Sequence, residues 1–235
     1  MNQDKDFQIL IADQSHEGFA DIICDEMASS AKARGTGIAK RSPEYIREKM
    51  RQGKAVIAFT KEGVWAGFCY IETWTGDYVA NSGLIVAPEF RKGGLAKKIK
   101  KKIFELSRKT YPEAKIFGLT TGLAVMKINS ELGYEPVTYS ELTQDDAFWS
   151  GCKSCVNYDI LMSKERKNCL CTAMLYDPKE HAEPEKTTED FRQHSKLYER
   201  FMRIKQWKLL NPFLKRNTAQ KAGRGKSLLH YFFNF

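Results

Sequence analysis

The residues best suited to bind a charged ligand lie in one basic turn with two adjacent glycines. An apolar segment, residues 82–87, breaks at Pro88 and leads through this turn into a lysine-rich segment with helical spacing. The first amides of a helix have no intrahelical acceptor, and the helix dipole is positive there, so the turn is typical of an anion site. Glycine also lets backbone approach a diphosphate closely. The predicted anion-binding residues are Arg91, Lys92, Gly93, Gly94, Leu95 and Ala96.

The segments around this turn alternate between strand and helix patterns. Apolar runs at residues 55–59 and 65–71 are separated by a glycine turn, which predicts an antiparallel meander. After the basic turn, apolar residues recur at steps of three and four, which predicts an amphipathic helix with its lysines on the other face. The helix is followed by a short apolar run, residues 115–120, and by a segment that ends in Leu132-Gly133-Tyr134. This order predicts a mixed α/β sheet.

The same order resembles the GNAT acyltransferase superfamily. Residues 91–96 match its acyl-CoA loop pattern, Gln/Arg-x-x-Gly-x-Gly/Ala, and Leu132-Gly133-Tyr134 is similar to the end of its closing helix. The resemblance covers residues 7–140. It implies the acyl-CoA N-acyltransferase fold, which is a mixed, mostly antiparallel sheet flanked by helices, with acetyl-CoA or another acyl-CoA as co-substrate.

The resemblance also implies where the acyl group reacts. The thioester carbonyl is expected beside backbone N–H groups near Ile85 or Val86, where such donors stabilise an oxyanion. Members of the superfamily often place a proton-donating tyrosine where this chain has Asn129, and an asparagine has no proton of suitable pKa. Asn129 can still hydrogen-bond the co-substrate. Glu72, at the end of the third predicted strand, is the candidate base, with a solvated carboxylate as the alternative.

A second basic, glycine-containing segment supplies a hypothesis for the acyl acceptor. Arg34, Lys40 and Arg41 lie in a stretch similar to one in the acetyltransferase domain of glutamate N-acetyltransferases of arginine synthesis. Because arginine can hold a carboxylate with two hydrogen bonds, the segment favours glutamate or a related amino acid. The alternatives are a solvated loop or one that contacts the CoA phosphates.

Three functions therefore remain open from the sequence. The first is transfer of an acetyl or succinyl group from acyl-CoA to the amine of a small molecule. The second is acylation of a protein amine. The third is a non-catalytic module that binds acyl-CoA or another anion.

Two cysteine pairs form a further candidate site. Cys152-x-x-Cys155 and Cys169-x-Cys171 supply four thiolates, the ligand set of a tetrahedral structural zinc site. The apolar runs beside them predict a β hairpin over residues 151–177, packed on the main domain. The alternatives are four reduced core thiols or a redox-labile pair.

Charge is unevenly distributed along the chain. Residues 191–235 contain eleven Lys and Arg and one acid, Glu199, although the whole chain has a net charge of +9. We therefore predict four parts: an acyltransferase domain (1–150), the cysteine-containing hairpin (151–177), an acidic linker (178–190) and a basic, amphipathic, helical C-terminal extension (191–235). The extension is suited to an acidic partner or an anionic surface.

The sequence also bears on location. It has no run of about 18 apolar residues and its first residues are polar, so neither a membrane span nor a signal peptide is expected. We accordingly expect a cytoplasmic protein, and a homodimer is a further expectation from the resemblance.

Overall fold

The computed structural model describes residues 6–35, 39–74 and 76–181, without the side chain of Arg34. The predicted basic extension (191–235) and most of the predicted acidic linker (178–190) lie outside these residues.

One mixed sheet forms the centre of the described part of the chain. Its seven strands are arranged in the order β1-β2-β3-β4-β5-β7-β6, and β4 and β5 are the parallel neighbours in an otherwise antiparallel sheet. The mixed, mostly antiparallel sheet predicted from the sequence is therefore confirmed. The strands are β1 (Phe7–Ile11), β2 (Ala55–Thr60), β3 (Trp65–Thr73), β4 (Tyr78–Val86), β5 (Lys115–Thr120), β6 (Glu135–Val137) and β7 (Thr172–Tyr176).

Helices cover both faces of the sheet, as the resemblance implies. Helices α1 and α2 pack on one face and α3 on the other, so β2 is buried along its whole length. Beyond β5, α5 and α6 contribute to a third apolar cluster around Phe117. The helices are α1 (Ala20–Arg34), α2 (Pro43–Arg51), α3 (Leu95–Thr110), α4 (Leu123–Glu131), α5 (Asp146–Ser150) and α6 (Tyr158–Ser163).

Strands β4 and β5 separate part-way along their length. They pair only where residues 78–80 lie beside residues 115–117, and from Asn81 and Gly118 onward each strand bonds to its other neighbour instead. We call this gap the strand fork: its vertex is at Asn81 and Gly118, and its arms are the later residues of β4 and β5. A parting of two strands opens a cleft inside the sheet without breaking the sheet's outer pairings.

A bulge in β4 lies just beyond the vertex. The register places Phe68 opposite Ile85 but Tyr70 opposite Ser82, so two residues of β4 face one residue of β3. One of the two is Gly83, which has a φ of +64°, and a Cβ there would lie 2.2 Å from the Tyr70 ring. Only glycine satisfies both the left-handed backbone and the close ring contact.

The predicted cysteine-containing hairpin is wrong in its first half. Residues 158–163 form α6, and only residues 172–176 form a strand, β7, which lies between β5 and β6 in the main sheet. Short apolar runs fit a buried helix turn as well as a strand, and here Leu161 packs in the same cluster as Trp149. This segment therefore completes the central sheet rather than forming an accessory lobe.

No helix in the described ranges has both the length and the apolar character needed to cross a membrane.

We expect Gly83→Ala to destabilise the fold by ~3 kcal/mol, because the new methyl group collides with Tyr70 and the backbone is left-handed. Gly53→Ala is the matched control: its φ is +62°, but a Cβ there meets nothing within 4 Å. The control should lose only about 1 kcal/mol. Urea unfolding of the three proteins measures the difference, and equal losses in the two variants would contradict the proposed packing at the bulge.

Candidate functional site

The basic turn forms an open helix N-terminus. Gly94 is the N-cap of α3, with a φ of +77° and no side chain to cap the helix, and the first turn of α3 contains no acidic residue. The first hydrogen bonds of the helix run from the amides of Lys97 and Lys98 to the Gly94 carbonyl. The amides before Lys97 therefore have no acceptor within the helix. A Cβ on Gly94 would meet nothing within 4 Å. The turn therefore has space and backbone donors for an anion.

Arg91 ties this turn to the rest of the fold. Its Nη2 lies 2.5 Å from Oε1 of Glu26 and 2.7 Å from Oγ of Ser30, both on α1, and its Nε donates to the Val86 carbonyl at 3.0 Å. The guanidinium thus holds the turn against α1 and the end of β4, although Arg91, like Lys92, is an exposed residue. Ile85 and Val86 lie on the β4 arm of the strand fork, directly after the bulge.

A polar cavity of about 360 Å³ lies beside the end of β3. Glu72 is buried in its wall, and its Oε1 accepts hydrogen bonds from Nη2 of Arg41 (3.1 Å) and from the Tyr45 hydroxyl. Among the described residues, Oε2 of Glu72 has no hydrogen-bond partner. The cavity is lined by Lys40, Arg41, Ser42, Tyr45, Glu72, Trp74, Ala147, Phe148, Ser150 and Gly151.

Internal hydrogen bonds fix Arg41 and Tyr45 around that carboxylate. Nε of Arg41 donates to the Tyr70 hydroxyl at 3.0 Å and Nη1 to the Lys40 carbonyl at 3.3 Å. Burial raises the pKa of Tyr45, and the neighbouring Glu72 carboxylate raises it further, so the phenol stays a donor. Arg41 therefore orients Glu72, and the exposed Lys40 supplies a second cation at the cavity. The structure brings Glu72, Lys40 and Arg41 together.

Buried polar groups converge at the vertex of the strand fork. A Cβ built on Gly118 would lie 3.7 Å from Nδ2 of Asn129, 3.8 Å from the Asn81 carbonyl oxygen and 4.0 Å from Nζ of Lys100. Asn129 is 1% exposed: its Nδ2 contacts the Met174 sulfur at 3.7 Å, and its Oδ1 is buried without a hydrogen-bond partner. Lys100 is also 1% exposed. Glycine at position 118 leaves room between these groups.

A hydrogen-bond chain supports one side of the vertex. The Tyr134 hydroxyl donates to Oδ1 of Asn81 at 2.9 Å, and Nδ2 of Asn81 donates to Oγ of Ser107 at 2.8 Å. Lys100 lies next to this chain, with Nζ 5.3 Å from the centroid of the Tyr134 ring. Burial lowers the pKa of Lys100 to about 8, because the charged form loses its hydration.

The sequence interpretation missed Lys100, Tyr45 and Tyr134. The apolar spacing predicts that the lysines of α3, including Lys100, lie on the face of the helix away from the core. Lys100 in fact lies four residues after Ala96 and three before Ile103, which places it on the buried side of α3. That spacing was the available signal.

The four clustered cysteines line one small apolar cavity of about 30 Å³. Burial, together with a smaller effect of the neighbouring cysteines, raises the pKa of Cys152 to about 11 and that of Cys171 to about 12. Within the described ranges, no three His, Cys, Asp or Glu side chains are arranged to hold a metal ion. The described geometry therefore gives the zinc prediction no support and is compatible with reduced thiols in an apolar pocket.

Known proteins share this architecture. N-acetylglutamate synthase from Neisseria gonorrhoeae, solved with coenzyme A and N-acetyl-glutamate, superposes with a TM-score of 0.53 and 18% identity over 73% of this chain and 35% of that one. Rv2747 from Mycobacterium tuberculosis, solved with CoA and a second ligand, has a TM-score of 0.53 and 15% identity over 72% of this chain and 98% of its own. This chain has the GNAT acyltransferase fold. The resemblance found in the sequence is thereby confirmed at the level of fold.

A sequence relative is also an acetyltransferase. The chain is 27% identical over 152 residues to thialysine N-epsilon-acetyltransferase from Caenorhabditis elegans. The matched region covers 62% of this chain and 91% of the relative. No protein-family model matches the chain. The chain spans about a third of the Neisseria synthase, which contains further sequence beyond the GNAT fold shared here.

Proposed function

We propose that this chain is an acyl-CoA-dependent N-acyltransferase that acylates the amine of a small amino acid. The observation that carries this proposal is the strand fork: its β4 arm leads to the open N-terminus of α3, and its vertex at Asn81 lies next to Ala80, which pairs with the buried Glu72 of β3. Similarity to a thialysine acetyltransferase, and to folds solved with CoA, supports the same reaction class.

The residues present fit an acyl-CoA. The open amides at the start of α3 and the exposed Lys92 match a diphosphate, and the bare Gly94 leaves room for it. The orphaned Oδ1 of Asn129 is a buried acceptor at the vertex of the fork, suited to an amide N–H of the pantetheine arm. The acyl-CoA supplies an acyl group activated as a thioester. The chain's own part is to hold that group and to position an amine beside it.

Glu72 is the group best placed to receive the amine. One of its oxygens is held by Arg41 and Tyr45, which fixes the carboxylate, and the other has no hydrogen-bond partner within the described part of the chain. Such an oxygen can hold an ammonium ion and accept one of its protons. The neutral amine that remains is the nucleophile. The amides near Ile85 and Val86, on the β4 arm of the fork, are the proposed donors to the carbonyl oxygen.

The charges at the cavity favour an amino acid as the acceptor. Lys40 and Arg41 provide two cations for a carboxylate, while Glu72 provides one anion for an ammonium group. An amino acid carries both charges in one small molecule. The names of the two most informative relatives refer to amino acids, N-acetyl-glutamate and thialysine, which supports the same class.

Gly94→Glu tests the proposed diphosphate site. A carboxylate at the N-terminus of α3 repels a diphosphate, so we expect CoA to bind at least about tenfold more weakly, equivalent to ~1.4 kcal/mol, in titration calorimetry. Gly53→Glu is the control, because its φ of +62° and open surroundings impose similar strain far along the chain from the basic turn. Unchanged affinity in Gly94→Glu, or an equal loss in the control, would contradict this assignment.

The acceptor class is tested by thiol release from acetyl-CoA and, separately, succinyl-CoA. The acceptors should include glutamate, lysine and cadaverine, which is lysine without its carboxylate. We expect release with at least one amino acid, and release with lysine, if it occurs, should fall at least about tenfold with cadaverine, because Lys40 and Arg41 lose their partner. Arg41→Lys should raise the KM of the amino acid.

Two results would favour the other functions. Equal rates with lysine and cadaverine would show that the carboxylate is not recognised. CoA binding without thiol release for any small amine would favour a protein acceptor or a binding module.

A further inference from the structure

We propose that Lys100 is the proton donor for the thiolate that leaves acyl-CoA during transfer. The proposal rests on the proposed function above and adds a residue that neither the motif nor the comparisons indicate. It answers a chemical need of the reaction, since Asn129, which lies at the same vertex, has no proton of suitable pKa to give to a thiolate.

The placement of Lys100 is the first argument. Its Nζ lies at the vertex of the strand fork, 4.0 Å from the position of a Cβ on Gly118, and the Nδ2 of Asn129 lies 3.7 Å from the same point. Lys100 belongs to α3, which packs on the face of the sheet opposite Tyr70 and Glu72. An amine held by Glu72 and a proton held by Lys100 therefore approach the fork from opposite faces, so the two groups can reach the acyl carbon and the sulfur of one thioester without occupying the same space.

The surroundings of Lys100 are the second argument. Among the described residues, Nζ has neither a hydrogen-bond acceptor nor a carboxylate partner, and its neighbour is the Tyr134 ring at 5.3 Å. A buried ammonium group without a partner is costly, and a hydrophobic residue of similar size would pack there at lower cost. A ligand anion at the vertex would supply the missing partner. A departing thiolate is such an anion.

The titratable groups around Lys100 leave its proton available for transfer. Cys69 on β3 and Tyr134 after α4 face it, and burial raises the pKa of Cys69 to about 11 and that of Tyr134 above its usual value. Both groups therefore keep their protons at neutral pH. Because the pKa of Lys100 is lowered to about 8, its ammonium form still dominates at neutral pH but releases a proton more readily than an exposed lysine does.

The step balances without another reactant. The acceptor nitrogen forms a C–N bond to the acyl carbon, the C–S bond breaks, and its electron pair leaves with sulfur as a thiolate. The Nζ ammonium of Lys100 gives a proton to that sulfur and becomes a neutral amine. The acceptor nitrogen gives a first proton to Glu72 on becoming a neutral amine and a second to solvent on becoming an amide. The second proton balances the one that Lys100 gives to sulfur, so solvent can reprotonate Lys100, and the first is released from Glu72 to solvent.

The direct test measures the thiol pKa of bound CoA from the ultraviolet absorbance of the thiolate, in the full chain. A cation near the sulfur lowers this pKa, so Lys100→Met should raise it by about 1–3 units relative to the wild type. Lys100→Arg retains the positive charge and should keep the thiol pKa low. Lys101→Met is the control, because Lys101 is an exposed lysine on the same helix.

The pH dependence of transfer separates a proton donor from a mere charge. At saturating acyl-CoA and acceptor, the wild-type rate should fall as pH rises through about 8, because a donor must be protonated. Lys100→Arg should be at least about tenfold slower and should lack this fall, since arginine does not release its proton. The Lys101→Met profile should match the wild type.

The outcomes distinguish this proposal from the function on which it rests. Equal thiol pKa values in wild type and Lys100→Met, with CoA bound to both, would overturn the role of Lys100 even if the enzyme turns over. A wild-type rate in Lys100→Arg, with the alkaline fall retained, would do the same. Should Lys100→Met fail to fold, the Lys100→Arg profile decides. CoA binding with no transfer to any amine would instead overturn the proposed function, and the thiol measurement would remain readable.

Discussion

The brief pairing of β4 with β5 is the constraint on which the rest of the site depends. The two strands share a ladder only over residues 78–80 and 115–117, and then turn to their outer neighbours. A bulge at Gly83 bends β4 away just after this point, and its geometry excludes any side chain larger than hydrogen. The gap between the two strands is thus produced by backbone register. Because the backbone keeps the two strands apart, the side chains around the gap do not have to do so and can bind a ligand.

The buried polar side chains at the vertex of the fork lower the stability of the free protein. The unpaired amide oxygen of Asn129 destabilises the fold by about a kilocalorie per mole or more, on the order found for buried polar groups, and the ammonium group of the buried Lys100 loses hydration without a hydrogen-bond acceptor among the described residues. A ligand that fills the fork would satisfy both, so stability lost in the free protein becomes binding energy. The Arg41, Tyr45 and Glu72 cluster differs, since its members hydrogen-bond one another, and among the described residues one oxygen of Glu72 is left without a hydrogen-bond partner.

The predictable part of this structure is the part with local signals. The basic turn, the helix after it and the alternation of strands were readable because glycine, proline and apolar spacing act within a few residues. The contact between Arg41 and Glu72 was not, because 31 residues separate them and no periodicity links them. The hairpin predicted over residues 151–177 is wrong near residue 160, because a short apolar run fits both a helix and a strand. Lys100 was missed because residue type was given more weight than its position on the helix.

The central claim is that the fork and the start of α3 form one binding site for acyl-CoA. Hydrogen–deuterium exchange with and without CoA tests this most directly, because amides that bind a ligand or become enclosed by it exchange more slowly. The account predicts slower exchange at residues 92–97 and along the β4 arm at residues 84–87, with little change near the cysteine-lined cavity. Protection confined to other segments, or bound CoA with no change at the start of α3, would contradict it.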